Sequence, residues 1–150
     1  MKAEVRNYHE EAVAVAKSSL APPVVTYVGP GNVWRLEEAY EYRDGDNLIT
    51  VPEGFRFDLA SIPRIFWFLI SPFELSIAAP LLHDFLYAHD GNPPAGSIEP
   101  PRVYTRKEAD QLFLTIMETE GVPAWRRNLA YWAVRSFGWI GWRKQKLEPQ

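Results

Sequence analysis

The stretch VWRLEEAYEYRDGDNLITV, residues 33–51, decides the fold class. Trp34, Leu36, Tyr40 and Tyr42 all fall on even positions, and that period of two predicts a strand with one buried face. Asp44-Gly45-Asp46-Asn47 supplies turn residues before the apolar run Leu48-Ile49-Thr50-Val51, a hairpin signal. The same tetrapeptide lacks the later glycine and glutamate of a calcium-binding EF-hand loop, so it reads as a turn. Upstream, Val24 to Val28 is rich in β-branched and aromatic residues, and Gly29-Pro30-Gly31-Asn32 punctuates it. Downstream, Pro52-Glu53-Gly54 ends the strand run before Phe55 and Phe57. Residues 24–57 are therefore expected to form a small antiparallel meander of three or four strands.

After residue 62 the period changes. Ser71-Pro72-Phe73-Glu74 is a capping box with proline at the first helical position. It predicts a helix over about 72–89, stopped near Gly91 and kinked or divided by Pro80. Thr105-Arg106-Lys107-Glu108 is a second capping box, opening a helix to Glu120 that Gly121 ends. Pro123 opens a last helix to about Lys144. Residues 3–18 favour a short N-terminal helix or arm, ended by Pro22 and Pro23. Strands first and helices after give an α+β class, with three or four helices over 63–144 packed on one face of the sheet.

Length and composition set the outer limits. A chain of 150 residues is one domain, able to bury roughly 68–70% of the surface it exposes when unfolded. With 47% hydrophobic and 23% charged residues, disorder and fibrous classes are excluded. Zero cysteines exclude a disulfide scaffold, a thiolate zinc site and a cysteine nucleophile. A net charge of −3 gives no reason to expect nucleic acid as a partner. No apolar run reaches the ~20 residues of a membrane-spanning helix, and the acidic start at Met1 does not read as a signal peptide.

The chemistry concentrates in His83-Asp84-Phe85-Leu86-Tyr87. Ile77, Ala78, Leu81, Leu82, Phe85 and Leu86 form the apolar stripe of that helix, with His83 and Tyr87, four apart, at its edge. An adjacent imidazole and carboxylate on a rigid support suit a metal site or a general base with a charge partner. They equally suit hydrogen bonds to neighbouring backbone. In the next helix Asp110 falls on or beside the stripe Ala109, Leu112, Phe113, Ile116 and Met117. A carboxylate there must be paired, hydrogen-bonded or metal-bound. Asp58 sits between the last strand and the following helical turn, where with Ser61 it can also cap backbone amides. The candidate set is thus His83, Asp110 and Tyr87 as catalytic residues. Asp58, His83 and Asp84 are the candidate ligands for a divalent metal, calcium or zinc.

Residues 121–150 hold six basic side chains against the single acid Glu148, together with Trp125, Trp132, Trp139 and Trp142. Basic residues interleaved with aromatics suit a membrane surface or a nucleic-acid platform. Trp125, Leu129, Trp132, Ser136 and Trp139 recur at helical spacing, and that spacing predicts a core face with a solvated basic back.

Several of these elements together resemble a family of uncharacterised proteins, domain of unknown function 1353, found mostly in tailed bacteriophages and prophages. The likeness is carried by Trp34-Arg35-Leu36 and Tyr40, by Val51-Pro52-Glu53-Gly54-Phe55, and by Asp58-Leu59-Ala60-Ser61-Ile62-Pro63-Arg64. His83 to Tyr87, Ala109-Asp110 with Phe113, and Tyr131 to Gly138 complete it. The family usually has threonine before the aspartate, where this chain has Phe57, so one hydroxyl is absent. The resemblance implies a phage or prophage origin, in the virion or host cytoplasm, with other virion proteins or a host protein as partners. It implies no established activity and leaves oligomerisation open.

His-Asp-x-x-Tyr also looks like the catalytic helix of secreted phospholipases A2. That likeness implies His83 activating water, Asp84 binding calcium and Asp110 orienting the histidine, with Tyr87 completing the set. Tyr27-Val28-Gly29-Pro30-Gly31 looks like that family's calcium loop, but it precedes His83 by about fifty residues, and the bracing disulfides are absent. Two functions are thus expected from the sequence. One is a virion or accessory component whose His/Asp cluster is structural or metal-binding. The other is a metal-assisted hydrolase of cell-envelope or phospholipase type using His83 and Asp84.

Overall fold

The hairpin forms as its residues dictate. β3 (Tyr40–Asp44) and β4 (Asn47–Val51) pair antiparallel, with Asp44 opposite Asn47 across a two-residue turn. Gly45 takes φ +58° there, a left-handed conformation that glycine adopts without steric cost. The computed structural model describes residues 21–29, 33–58, 77–140 and 142, with Asp58 described in its backbone alone. Expectations for residues 1–20, for the first capping box at 71–74 and for the side chain of Asp58 lie outside the described residues.

The strand region is α+β as expected, but it is two sheets rather than one meander. β1 (Val25–Gly29), β2 (Val33–Leu36) and β5 (Arg56–Asp58) make the first, in the order β1-β2-β5. The second takes the order β3-β4-β6, where β6 is Ile98–Glu99. The expected single strand from Val33 to Arg43 breaks at residues 37–39, and its two halves join different sheets. Leu36 and Tyr40 are nevertheless both buried, because a three-residue break preserves the parity of the alternation.

The segment 91–104 is tied down along its length. Ile98 is buried opposite Ile49, Tyr104 donates its backbone N–H to the Gly91 carbonyl at 2.8 Å, and the Tyr104 hydroxyl reaches Asp44 at 2.7 Å.

Three helices follow among the described residues. α1 is described as Ala78–Ala88, with Pro80 in its first turn, where a missing N–H costs little. It ends at His89, before Asp90 and Gly91 at positive φ. α2 (Arg106–Thr119) opens on the predicted capping box: Glu108 N donates to Thr105 Oγ1 at 3.1 Å, and Thr105 N to Glu108 Oε2 at 2.8 Å. α3 (Ala124–Phe137) starts after Pro123 as expected and is capped by Gly138; Trp139, Ile140 and Trp142 are again helical, and the expected end near Lys144 lies outside the described residues. α1 packs on β5 and α2, and α2 packs on α3. Phe55 meets Phe85 edge-on at 5.4 Å, joining the first sheet to α1.

The core face expected on the last helix is overturned. Trp125, Leu129, Trp132, Ser136 and Trp139 are all exposed; Trp125 is 59% and Trp132 64% accessible. The buried positions are Ala130, Ala133 and Val134. At about 100° per residue, these lie on a different side of α3 from the tryptophan stripe. The spacing marks a real face, but small residues let α3 approach α2 closely on the other one.

Candidate functional site: a buried carboxylate holding three helices

Asp110 is the centre. It projects from the core side of α2 and is 0% exposed, so its charge must be met by donors. On Oδ1 it receives His83 Nε2 at 2.7 Å and the Tyr87 hydroxyl at 2.5 Å. The 83/87 spacing of four puts both donors on one face of α1, turned toward α2. Oδ2 receives Arg135 Nη1 from α3 at 2.8 Å, and Arg106 Nη1, one turn earlier on α2, lies 3.6 Å away. One carboxylate thereby joins α1, α2 and α3.

The His83 ring is held as well as bonded. Tyr87 lies against it at 4.1 Å between centroids and Phe113 at 4.9 Å. A carboxylate only accepts, so the proton at this contact sits on Nε2 and the basic lone pair of the neutral ring sits on Nδ1. Nδ1 faces Asp84, whose Oδ1 is 3.8 Å away, too far for a hydrogen bond but close for a charge. The Asp84 side chain is 20% accessible. The pair therefore has a sealed end at Asp110 and a wetter end at Asp84.

The protonation states follow from opposed effects. Burial pushes the His83 pKa down, but Asp110 and Asp84 outweigh it and hold the imidazole above its ordinary 6.5. Burial likewise pushes Asp110 up, and His83, Tyr87 and Arg135 outweigh that, leaving the carboxyl below its ordinary 3.8. Burial and the Asp110 charge push the Tyr87 phenol well above 10, so it stays a donor.

These directions fix a pH dependence. The His83 contribution to stability is full below 6.5 and is lost as pH rises through its higher folded value. The Asp110 contribution is full above 3.8 and is lost as pH falls through its lower folded value. The gap in melting temperature between wild type and Asp110→Asn is therefore expected to be widest between pH 3.8 and 6.5. A gap that keeps widening above neutrality would contradict it.

Of the predicted residues, the structure brings His83, Tyr87 and Asp110 into contact and sets Asp84 beside them. Asp58 ends β5, paired in register with Val33, on the sheet that carries α1. Among the described residues, no three His, Asp or Glu side chains are grouped to hold a metal ion. Arg106 and Arg135 were not foreseen as site residues. Arg106 stands four before Asp110, a legible ion-pair spacing, whereas Arg135 is 25 residues away on another helix. Arg106 also donates to the Val134 and Arg135 carbonyls at 3.3 Å, fixing the end of α3.

An α+β domain whose described residues form two small sheets and three helices, the helices pinned by one buried aspartate, is the class these observations define. The family described as a protein of unknown function, DUF1353, matches residues 34–134, and the chain belongs to it. A similar protein is the uncharacterized protein y4jT of Sinorhizobium fredii (strain NBRC 101917 / NGR234), 30% identical over 112 residues. That match covers 73% of this chain and 30% of the relative, so the chain spans about a third of that protein's length. No solved structure matches the chain. No helix among the described residues is long and apolar enough to cross a membrane.

Proposed function

We propose that the chain is a small hydrolase in which His83 is the general base and Asp110 its positioning residue. The reading rests on one observation: Nε2 of His83 lies 2.7 Å from a fully buried carboxylate. That contact leaves Nδ1 as the atom that takes a proton from water. The water oxygen would then attack a carbonyl carbon, and the proton would pass from Nδ1 to the departing oxygen. Tyr87 and the flanking rings keep the imidazole in this orientation. The roles implied by the likeness to phospholipases A2 agree with it, since His83 and Asp110 make the orienting contact. The substrate would be an acyl ester of the cell envelope, and the setting a phage or prophage. No step is routed through a metal, because the described residues alone do not supply a ligand set; calcium or zinc at Asp84 and Asp58 would be an addition to this chemistry.

A second reading, a non-catalytic virion or accessory component, is favoured by Arg135 and Arg106, which make Asp110 a structural joint whatever His83 does. Asp84→Asn separates the two. Asp84 is not bonded to Asp110, so the variant leaves the contacts that join the three helices in place, and activity is compared below the melting temperature of both proteins. If His83 is catalytic, ester hydrolysis should fall by about tenfold to a thousandfold. The wild-type rate should also rise with pH through a value above 6.5, as the imidazole loses its proton. Elemental analysis of both proteins, dialysed without chelator, shows whether Asp84 holds a metal. No hydrolysis of any envelope ester by wild type, with or without calcium or zinc, would leave the structural joint as the account.

A further inference from the structure

Tyr87 is held from the end of α3 as well as from Asp110. Trp125, Trp132 and Trp139 are exposed, whereas Trp142 packs against the core. Its ring meets Tyr87 edge-on, with centroids 5.0 Å apart and planes at 85°. One turn earlier stands Gly138, whose carbonyl receives the Trp142 N–H at 3.1 Å. Gly138 has φ −62° and ψ −22°, ordinary helical values that any residue adopts. Conformation therefore does not call for glycine here, but space does. A methyl group at this position would stand 2.6 Å from the Tyr87 hydroxyl oxygen and 3.3 Å from its ring, and would also press on the Val134 carbonyl.

We propose that Gly138 and Trp142 are positioning residues for His83, acting through Tyr87. Gly138 leaves the space in which the Tyr87 hydroxyl sits, and Trp142 holds the ring from its edge. Tyr87 in turn fixes the imidazole in two ways. Its ring lies against His83 at 4.1 Å, and its hydroxyl shares Asp110 Oδ1 with His83 Nε2. Two donors on one oxygen set each other's angle, because each must take a different lone pair. The hydroxyl contact is 2.5 Å, the length of a strong O–H···O⁻ bond, and such bonds weaken steeply when misaligned. A small displacement of Tyr87 thus reaches His83. The catalytic consequence rests on the hydrolase reading, while the hold on Tyr87 does not.

Proton NMR of the full chain reads the hold directly. A hydroxyl proton kept from water on a buried carboxylate gives its own downfield signal, and Tyr87→Phe identifies it by removing it. Trp142→Ala should lose that signal to exchange with water or move it upfield. Trp142→Phe keeps an aromatic edge against Tyr87 and should keep the signal. Gly138→Ala should lose it as well. The methyl of that variant also meets the Val134 carbonyl, so if the variant does not fold the two Trp142 variants decide. A merely structural role at the end of α3 would lower the melting temperature and leave the Tyr87 signal in place. Ester hydrolysis by the same proteins should follow the signal, falling about tenfold or more where it is lost and holding in Trp142→Phe. A wild type without a signal that Tyr87→Phe removes would overturn the proposal. So would an unchanged signal in Trp142→Ala or in folded Gly138→Ala, or full hydrolysis by a variant that has lost the signal. Signals as expected, with no ester hydrolysed by wild type, would leave the hold on Tyr87 standing and the hydrolase reading unsupported.

Discussion

Replacing Asp110 with alanine is expected to lower stability by about 3–5 kcal/mol, the scale for breaking a buried charged network by removing one partner. For a domain of this size, that is a fall in melting temperature of order 10 °C. The loss has identifiable parts. His83 Nε2, the Tyr87 hydroxyl and Arg135 Nη1 all lose an acceptor they hold at 2.5–2.8 Å. Tyr87 and His83 are buried and have little water to turn to. Arg135 is partly exposed and can recover some solvation. A cavity the size of a carboxylate adds to the cost. Asp110→Asn should fall between, since an amide oxygen can still accept on one side but presents N–H groups to a donor on the other. Tyr87→Phe removes a single hydrogen bond and should cost about 1–2 kcal/mol. Urea denaturation of the three variants orders them. If Asp110→Ala proved as stable as Tyr87→Phe, the carboxylate would not be the joint described above.

The same residue shows how far a single sequence reaches. Its burial was legible, because the apolar spacing of α2 leaves no room for Asp110 on the solvent side. Its partners on α1 were legible in kind, since a spacing of four sets His83 and Tyr87 on one face. The capping box at Thr105 and Glu108 was legible for a simpler reason: both of its bonds close within three residues. What failed needed information from distant elements. Ile98–Glu99 pairs with β4 only because the chain returns there after α1, and two residues carry no periodicity. The break at residues 37–39 was hidden because it keeps the strand parity. The tryptophan stripe of α3 was found as a face, but amphipathic spacing carries no sign that says which face meets the core. That was decided by Ala130, Ala133 and Val134, whose small side chains allow close packing.

Gly91→Ala should be the other large effect, and it acts far from the imidazole. Gly91 closes α1: its N–H reaches the Leu86 carbonyl at 2.8 Å, and its carbonyl receives the Tyr104 N–H at 2.8 Å. Its φ is +75°, which costs an L-residue about 1–2 kcal/mol. A methyl group there would also fall 1.7 Å from the Tyr104 carbonyl oxygen, with only backbone to give way. Overpacking of that kind adds about 1–3 kcal/mol, so the variant should lose about 3 kcal/mol in all. The consequence is not confined to the turn. Tyr104 is buried and its hydroxyl holds Asp44 at 2.7 Å, while Thr105 beside it caps α2. Displacing Tyr104 therefore loosens the hairpin and the start of the helix that carries Asp110. Thermal melts should show the loss directly. Gly45→Ala is the control: its φ is +58°, but nothing lies within 4 Å of the added methyl. It should cost only the conformational share, about 1–2 kcal/mol. Equal losses for the two variants would mean that contact with Tyr104 contributes nothing, and that the segment 91–104 is not the brace its hydrogen bonds make it.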